Sequence, residues 1–120
     1  MADMPDVPTT SAQEAGPLVL ERKAPYLDVR TPEEFSREHV SGSINVPWIL
    51  NLTTRQVNPC FVEEAKKALP GADAHVIVSC QVGRRGAMAT KALQDADFTN
   101  AVNLAGGLQA WTMAGLPTDK

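Results

Sequence analysis

An α/β fold, with a parallel sheet covered by helices on both faces, is what this sequence predicts. Three observations carry the expectation. Short apolar runs alternate with stretches of helical spacing along nearly the whole chain, the pattern of strand–helix–strand units. The run His75-Val76-Ile77-Val78-Ser79 is continuous and β-branched, as a central strand buried on both faces requires. Directly after the strand-like Tyr26-Leu27-Asp28-Val29 comes Thr31-Pro32-Glu33-Glu34. That is a strong helix start, with Thr as cap, Pro at the first helical position and Glu at the third.

The elements follow in order. Residues 1–10 hold two prolines and two aspartates and read as a flexible lead-in. Val7 begins a short edge strand that Pro8 limits. Thr10 or Ser11 caps a first helix carrying Ala12, Ala15 and residues 18–20, although Gly16-Pro17 interrupts it and leaves its boundary open. The strand at Tyr26 follows Pro25. The helix begun at Thr31 has carboxylates suited to its positive end and stops before Ser41-Gly42-Ser43. Ile44-Asn45-Val46 is a brief strand stopped by Pro47. Residues 48–60 are polar and irregular, and a loop with one helical turn is expected there. Residues 61–69 place apolar side chains at 61, 62, 65, 68 and 69, which is helical spacing, and Pro70-Gly71 ends them. After the central strand, residues 87–93 form a helix with Met88, Ala89, Ala92 and Leu93 toward the sheet. Val102-Asn103-Leu104 is the last strand, and Gly106-Gly107 turns it into a helix over residues 108–113.

Composition bounds the function. A chain of 120 residues is one domain. Apolar residues at 43% and charged residues at 21% are ordinary for a globular protein rather than a disordered one. A formal charge of −3 lacks the basic footprint of a nucleic-acid binder. No apolar run approaches the roughly 20 residues of a membrane helix. The two cysteines are too few for a disulfide scaffold or a four-thiolate zinc site. Residues 1–10 contain neither Lys nor Arg nor an apolar core, so they do not read as a signal peptide. A soluble cytoplasmic protein is expected, or a plastid one if the chain is a mature processed form.

The chemistry is expected at the carboxyl end of the central strand, where open α/β sheets place their sites. That strand runs into Cys80-Gln81-Val82-Gly83-Arg84-Arg85-Gly86 and then a helix. A short loop between strand end and helix start turns backbone N–H groups inward and makes an anion nest. Gly83 and Gly86 permit the turns, and Arg84 and Arg85 add cationic donors. Such surroundings favour a thiolate, which is the nucleophilic form of cysteine. A buried free cysteine can also be inert; the convergence of thiol, donors and helix N-terminus favours Cys80 as a nucleophile.

The chain resembles the single-domain rhodanese family. The resemblance rests on Tyr26 to Phe35 (YLDVRTPEEF), Glu38 to Pro47 (EHVSGSINVP), the C-Q-x-G-x-R loop from Cys80 to Arg85, Gly106 to Trp111 (GGLQAW) and Gly115-Leu116-Pro117. These blocks occur in family order over almost the whole chain after residue 20, and the pattern is most similar to small plant and algal members. The resemblance implies a three-layer fold with a five-stranded parallel sheet, and a rhodanese domain over residues 11–118. It implies a sulfurtransferase in which Cys80 accepts a sulfane sulfur from thiosulfate or a related donor and becomes a persulfide. Gln81, Val82, Gly83, Arg84 and Arg85 would hold the sulfur and the donor anion, and the acceptor would be cyanide or a thiol, a thioredoxin-like protein among them. No metal or organic cofactor is implied.

Loop length bears on the alternatives. Phosphatases and arsenate reductases of this fold carry C-x5-R, whereas Arg85 stands five positions after Cys80 and Gly86 follows it. The shorter loop suits sulfur rather than a tetrahedral oxyanion. A sulfur-relay or partner-binding module with little action on free thiosulfate stays open. Among supporting residues, Asp28 and Arg30 are expected to serve capping and ion pairing, for instance Arg30 with Glu34. His39 is expected as a hydrogen-bonding anchor rather than a base, and His75 at the surface. Cys60 matches no motif and is either incidental or a resolving thiol. Trp111 is expected in the core and Trp48 nearer the site. Asp97 stands where the family usually has Gly, and Asp tolerates a left-handed backbone.

Overall fold

The computed structural model describes residues 4–120, so the first three residues of the expected lead-in lie outside the described part. The elements are β1 (Thr9–Thr10), α1 (Ala12–Leu20), β2 (Tyr26–Asp28), α2 (Pro32–Arg37), β3 (Ile44–Asn45), β4 (Ile49–Asn51), β5 (Gln56–Val57), α3 (Phe61–Ala68), β6 (Ile77–Ser79), α4 (Arg84–Asp95), β7 (Val102–Leu104) and α5 (Gly107–Met113). Five strands form one sheet in the order β1-β7-β6-β2-β3, and every pairing in it is parallel.

The alternation of side chains along each strand sorts the core onto two faces. Leu27, Val29, Val76, Val78 and Cys80 join Phe61 and Ala65 of α3 and Ala89 and Leu93 of α4 on one face. Tyr26, Ile77 and Leu104 join Ala12 and Ala15 of α1 and Leu108 and Trp111 of α5 on the other. The expected helices on both faces are therefore present, and β6 is fully buried at the centre.

The start of the sheet differs from expectation. The edge strand is Thr9–Thr10 rather than at Val7, pairing in register with Asn103 and Leu104 of β7. Part of the segment read as a flexible lead-in is therefore sheet. Helix α1 is capped by Ser11, whose side chain accepts from the Glu14 amide, and it continues through Gly16-Pro17. Gly16 supplies a close approach: a Cβ there would lie 3.1 Å from the Leu116 side chain.

Residues 48–60 are not a loop with a helical turn. They hold an antiparallel hairpin of β4 and β5. Its turn is made by Asn51, whose side-chain oxygen accepts from the amides of Thr53 at 2.7 Å and Thr54 at 3.1 Å. This side-chain mimicry of a backbone turn carries no strong sequence signal. The hairpin is tied to the main sheet through the Trp48 amide, which donates to the Val29 carbonyl. Asp97 does take the left-handed conformation, with φ of 74°.

Candidate active site

Helix α4 begins at Arg84, three residues before the expected start at residue 87. Its cap is Gly83 in the left-handed region (φ 106°), with no side-chain cap bond. Arg84 and Arg85 therefore stand in the first helical turn rather than in a loop. Helix α5 opens in the same manner on Gly106 (φ 76°), also without a side-chain cap. Both helix starts converge on the segment that follows β6.

Cys80 directly follows that strand and is 1% exposed. Its Sγ accepts a hydrogen bond from the Gly83 amide at 3.0 Å. From the other side, the α5 amides of Leu108 and Gln109 donate to the carbonyls of Cys80 (2.8 Å) and Gln81 (3.1 Å). This closeness is possible because residue 107 has no side chain. A Cβ on Gly107 would run into the Cys80 carbonyl and lie 2.8 Å from Gln81. The carbonyls of Cys80 and Gln81 thus point to α5, while the Gly83 amide points at the sulfur.

Two ion pairs flank the loop. Asp28 and Arg30 form a bidentate pair, Nε to Oδ1 at 3.0 Å and one terminal nitrogen to Oδ2 at 2.8 Å. Both side chains are almost fully buried. Arg30 also donates to the Glu38 carbonyl at 2.6 Å and to Oε1 of Gln81 at 3.3 Å. The expected pairing of Arg30 with Glu34 is corrected: Asp28, two residues away, presents its carboxylate first. Asn45 clips the same strand end by donating to the carbonyls of Asp28 and Arg30.

Glu34 pairs with Arg85 instead, at 2.7 and 3.0 Å. It also accepts from the Thr31 amide, completing the capping box of α2. Burial raises the Glu34 carboxyl, but the Arg85 guanidinium and the Thr31 donors outweigh burial and hold it at about 2. Burial likewise opposes the charge on Arg85, and Glu34 more than offsets it, so Arg85 is raised above its ordinary range. Arg85, expected as a cation for the donor, is thus engaged by a carboxylate. Arg84 is exposed at the start of α4, Val82 is exposed at the loop tip and Gln81 is half-buried.

The remaining candidates lie apart from this arrangement. The His39 ring hydrogen-bonds the Phe35 carbonyl at 2.8 Å and stacks on the Phe35 ring at 4.0 Å. Its backbone pairs with Asp119. Cys60 is exposed and precedes α3, in no disulfide. Trp48 packs edge-to-face on Phe61 against the core, and Trp111 is fully buried. His75 is exposed.

Sequence reasoning missed two groups beneath the loop. Tyr26 donates to Ser79 Oγ at 2.8 Å in the core, and burial pushes the Tyr26 phenol well above its ordinary range, with the Ser79 bond opposing in part. Asn103 is 1% exposed and donates to the Gly83 carbonyl at 3.1 Å. The available signal was a lone amide inside an otherwise apolar strand.

Fold and site together define a parallel α/β domain with a buried cysteine at the carboxyl end of its central strand, its sulfur accepting from the Gly83 amide at a helix start. The model of the rhodanese-like domain matches residues 11–114, and the chain belongs to that family. It is 45% identical over 94 residues to thiosulfate sulfurtransferase 16, chloroplastic, of Arabidopsis thaliana, covering 78% of each chain. It is 30% identical over 110 residues to human thiosulfate:glutathione sulfurtransferase, covering 90% of this chain and 96% of that one. Further plant relatives are longer, the match spanning 52% to 56% of their length. Among solved structures, a thiosulfate sulfurtransferase from Pseudomonas aeruginosa superposes with a TM-score of 0.77 at 27% identity, covering 94% of this chain and 20% of that one. Among the described residues, no helix is long and apolar enough to cross a membrane.

Proposed function

We propose that this protein is a sulfurtransferase that moves a sulfane sulfur from thiosulfate, or a related anionic donor, to a thiophilic acceptor through a persulfide on Cys80. The observation that carries the reading is the Gly83 N–H placed 3.0 Å from Sγ at a helix start. A thiolate and a persulfide are both anions, and preoriented amide donors stabilise them without proton transfer. The Cys80 thiolate attacks the outer sulfur of thiosulfate. The sulfur–sulfur bond of the donor breaks, and sulfite leaves with the electron pair. Cyanide or a thiolate then takes the terminal sulfur, and Cys80 is returned as thiolate.

Arg84, exposed in the first turn of α4, meets the sulfonate of the donor. Arg85 is occupied by Glu34 and fixes the far end of the loop. Gln81 is held by Arg30 and closes the side of the nest. The acceptor is a small thiol or a thioredoxin-like protein. A plastid setting belongs to the same reading, supported by the plant relative whose name carries that location.

The test is the intact mass after incubation with thiosulfate. The wild type is expected to gain one sulfur atom that cyanide removes, and Cys80→Ser to gain none. A wild type that gains nothing, or a Cys80→Ser variant that gains as much, would overturn the reading.

A further inference from the structure

Gly83 is the residue on which the nest turns, and both sides of its Cα are pinned. Its amide donates to Cys80 Sγ at 3.0 Å. Its carbonyl accepts from Asn103 Nδ2 of β7 at 3.1 Å. One bond therefore constrains φ and the other ψ, in a left-handed conformation (φ 106°) that only glycine adopts without strain. Asn103 is 1% exposed, and its Oδ1 is buried without a hydrogen-bond partner. A buried unsatisfied oxygen destabilises a fold. The chain nevertheless makes room for it, because a Cβ on Gly86 would collide with that oxygen. The Gly83 carbonyl does not need Asn103 for satisfaction, since it also accepts the helical bond from the Ala87 amide at 3.0 Å.

An amide that leaves its own oxygen orphaned and adds a second donor to a satisfied carbonyl is poorly accounted for by stability. Departures of this kind concentrate at functional sites. We infer that Asn103 is a positioning residue for the reaction at Cys80: without touching the sulfur, it holds the Gly83 carbonyl, and with it the left-handed turn at Gly83 from which the neighbouring peptide aims its N–H at Sγ. This rests on the sulfurtransferase reading for its consequence in turnover, but not for its effect on the reactivity of the thiol.

The decisive variant is Asn103→Leu, which keeps the branched shape and removes both the donor and the orphaned oxygen. Its thermal midpoint is expected to equal or exceed that of the wild type. Its kcat for thiosulfate is expected to fall by about tenfold with KM nearly unchanged, a loss smaller than the roughly hundredfold or greater loss on deleting a preorganised donor itself. Iodoacetamide alkylation of Cys80, followed on its own peptide to separate it from Cys60, is expected to slow by a similar factor. Gly86→Ala, which displaces the Asn103 amide from the opposite side, is expected to slow alkylation as well. A lowered melting midpoint in Asn103→Leu, or kcat and alkylation rates within about twofold of wild type, overturns the inference. If wild type forms no persulfide, the sulfurtransferase reading fails, and the alkylation comparison still decides the role of Asn103.

Discussion

Helices α2 and α4 start in opposite ways. At α2 the cap is made by side chains. Thr31 accepts from the Glu34 amide, and Glu34 returns a bond to the Thr31 amide. Those backbone donors are consumed by the protein. At α4 the cap is a left-handed glycine with no side-chain acceptor, and the Gly83 amide is directed at a cysteine sulfur instead. The difference teaches that an amide is left to meet the Cys80 sulfur because the sequence withholds a side-chain cap where one would ordinarily stand. Glu34 links the two starts, serving the capping box on one side and gripping Arg85 of α4 on the other.

Substitutions can break or sharpen this contrast. The largest effect is expected from Gly107→Ala, at the start of α5. The new methyl meets the Cys80 carbonyl and Gln81, at a φ of 58°. Strained backbone and overpacking together should destabilise by roughly 4 kcal/mol, measured by urea unfolding, with loss of Cys80 reactivity in whatever folds. The second effect concerns acid. Glu34 is held at about 2 against an ordinary 4.5, so its stabilisation is complete above 4.5 and is lost as pH falls through about 2. Urea midpoints measured across that window should fall in the wild type and fall less in Glu34→Gln; equal slopes would show that the pairing with Arg85 contributes nothing. The smallest effect is expected from Thr31→Ala. Loss of a side-chain cap should lower stability by about 1 kcal/mol and leave kcat unchanged, because this cap serves the helix and not the sulfur.

Much of this contrast was legible in the amino-acid order, and the reason lies in range. The Thr31–Glu34 box is a signal four residues long, and it formed as read. The central strand was marked by its unbroken β-branched run, and the Cys80 loop by its glycines and arginines. The start of α4 was misplaced by three residues because Gly83 caps by conformation, and a glycine does not announce which conformation it adopts. The hairpin of β4 and β5 was missed because its turn depends on one Asn51 side chain. Ion-pair partners were the least legible. Arg30 had Asp28 and Glu34 within reach in sequence. Arg85 found Glu34 across 51 positions, a partner that only the tertiary fold brings near. Asn103 belongs to the same class, since its partner Gly83 is 20 residues distant.

The sheet order carries a consequence for how the molecule comes into being. Strand β1, at Thr9–Thr10, pairs with β7, at Asn103 and Leu104, so the first strand waits for the last. Pairings between residues so distant in sequence close late and slow the search for the native state. The same late segment carries Asn103 and the α5 amides that grip Cys80 and Gln81. During synthesis, Cys80 leaves the ribosome before any of them. Its surroundings are completed only once residues 103–109 follow.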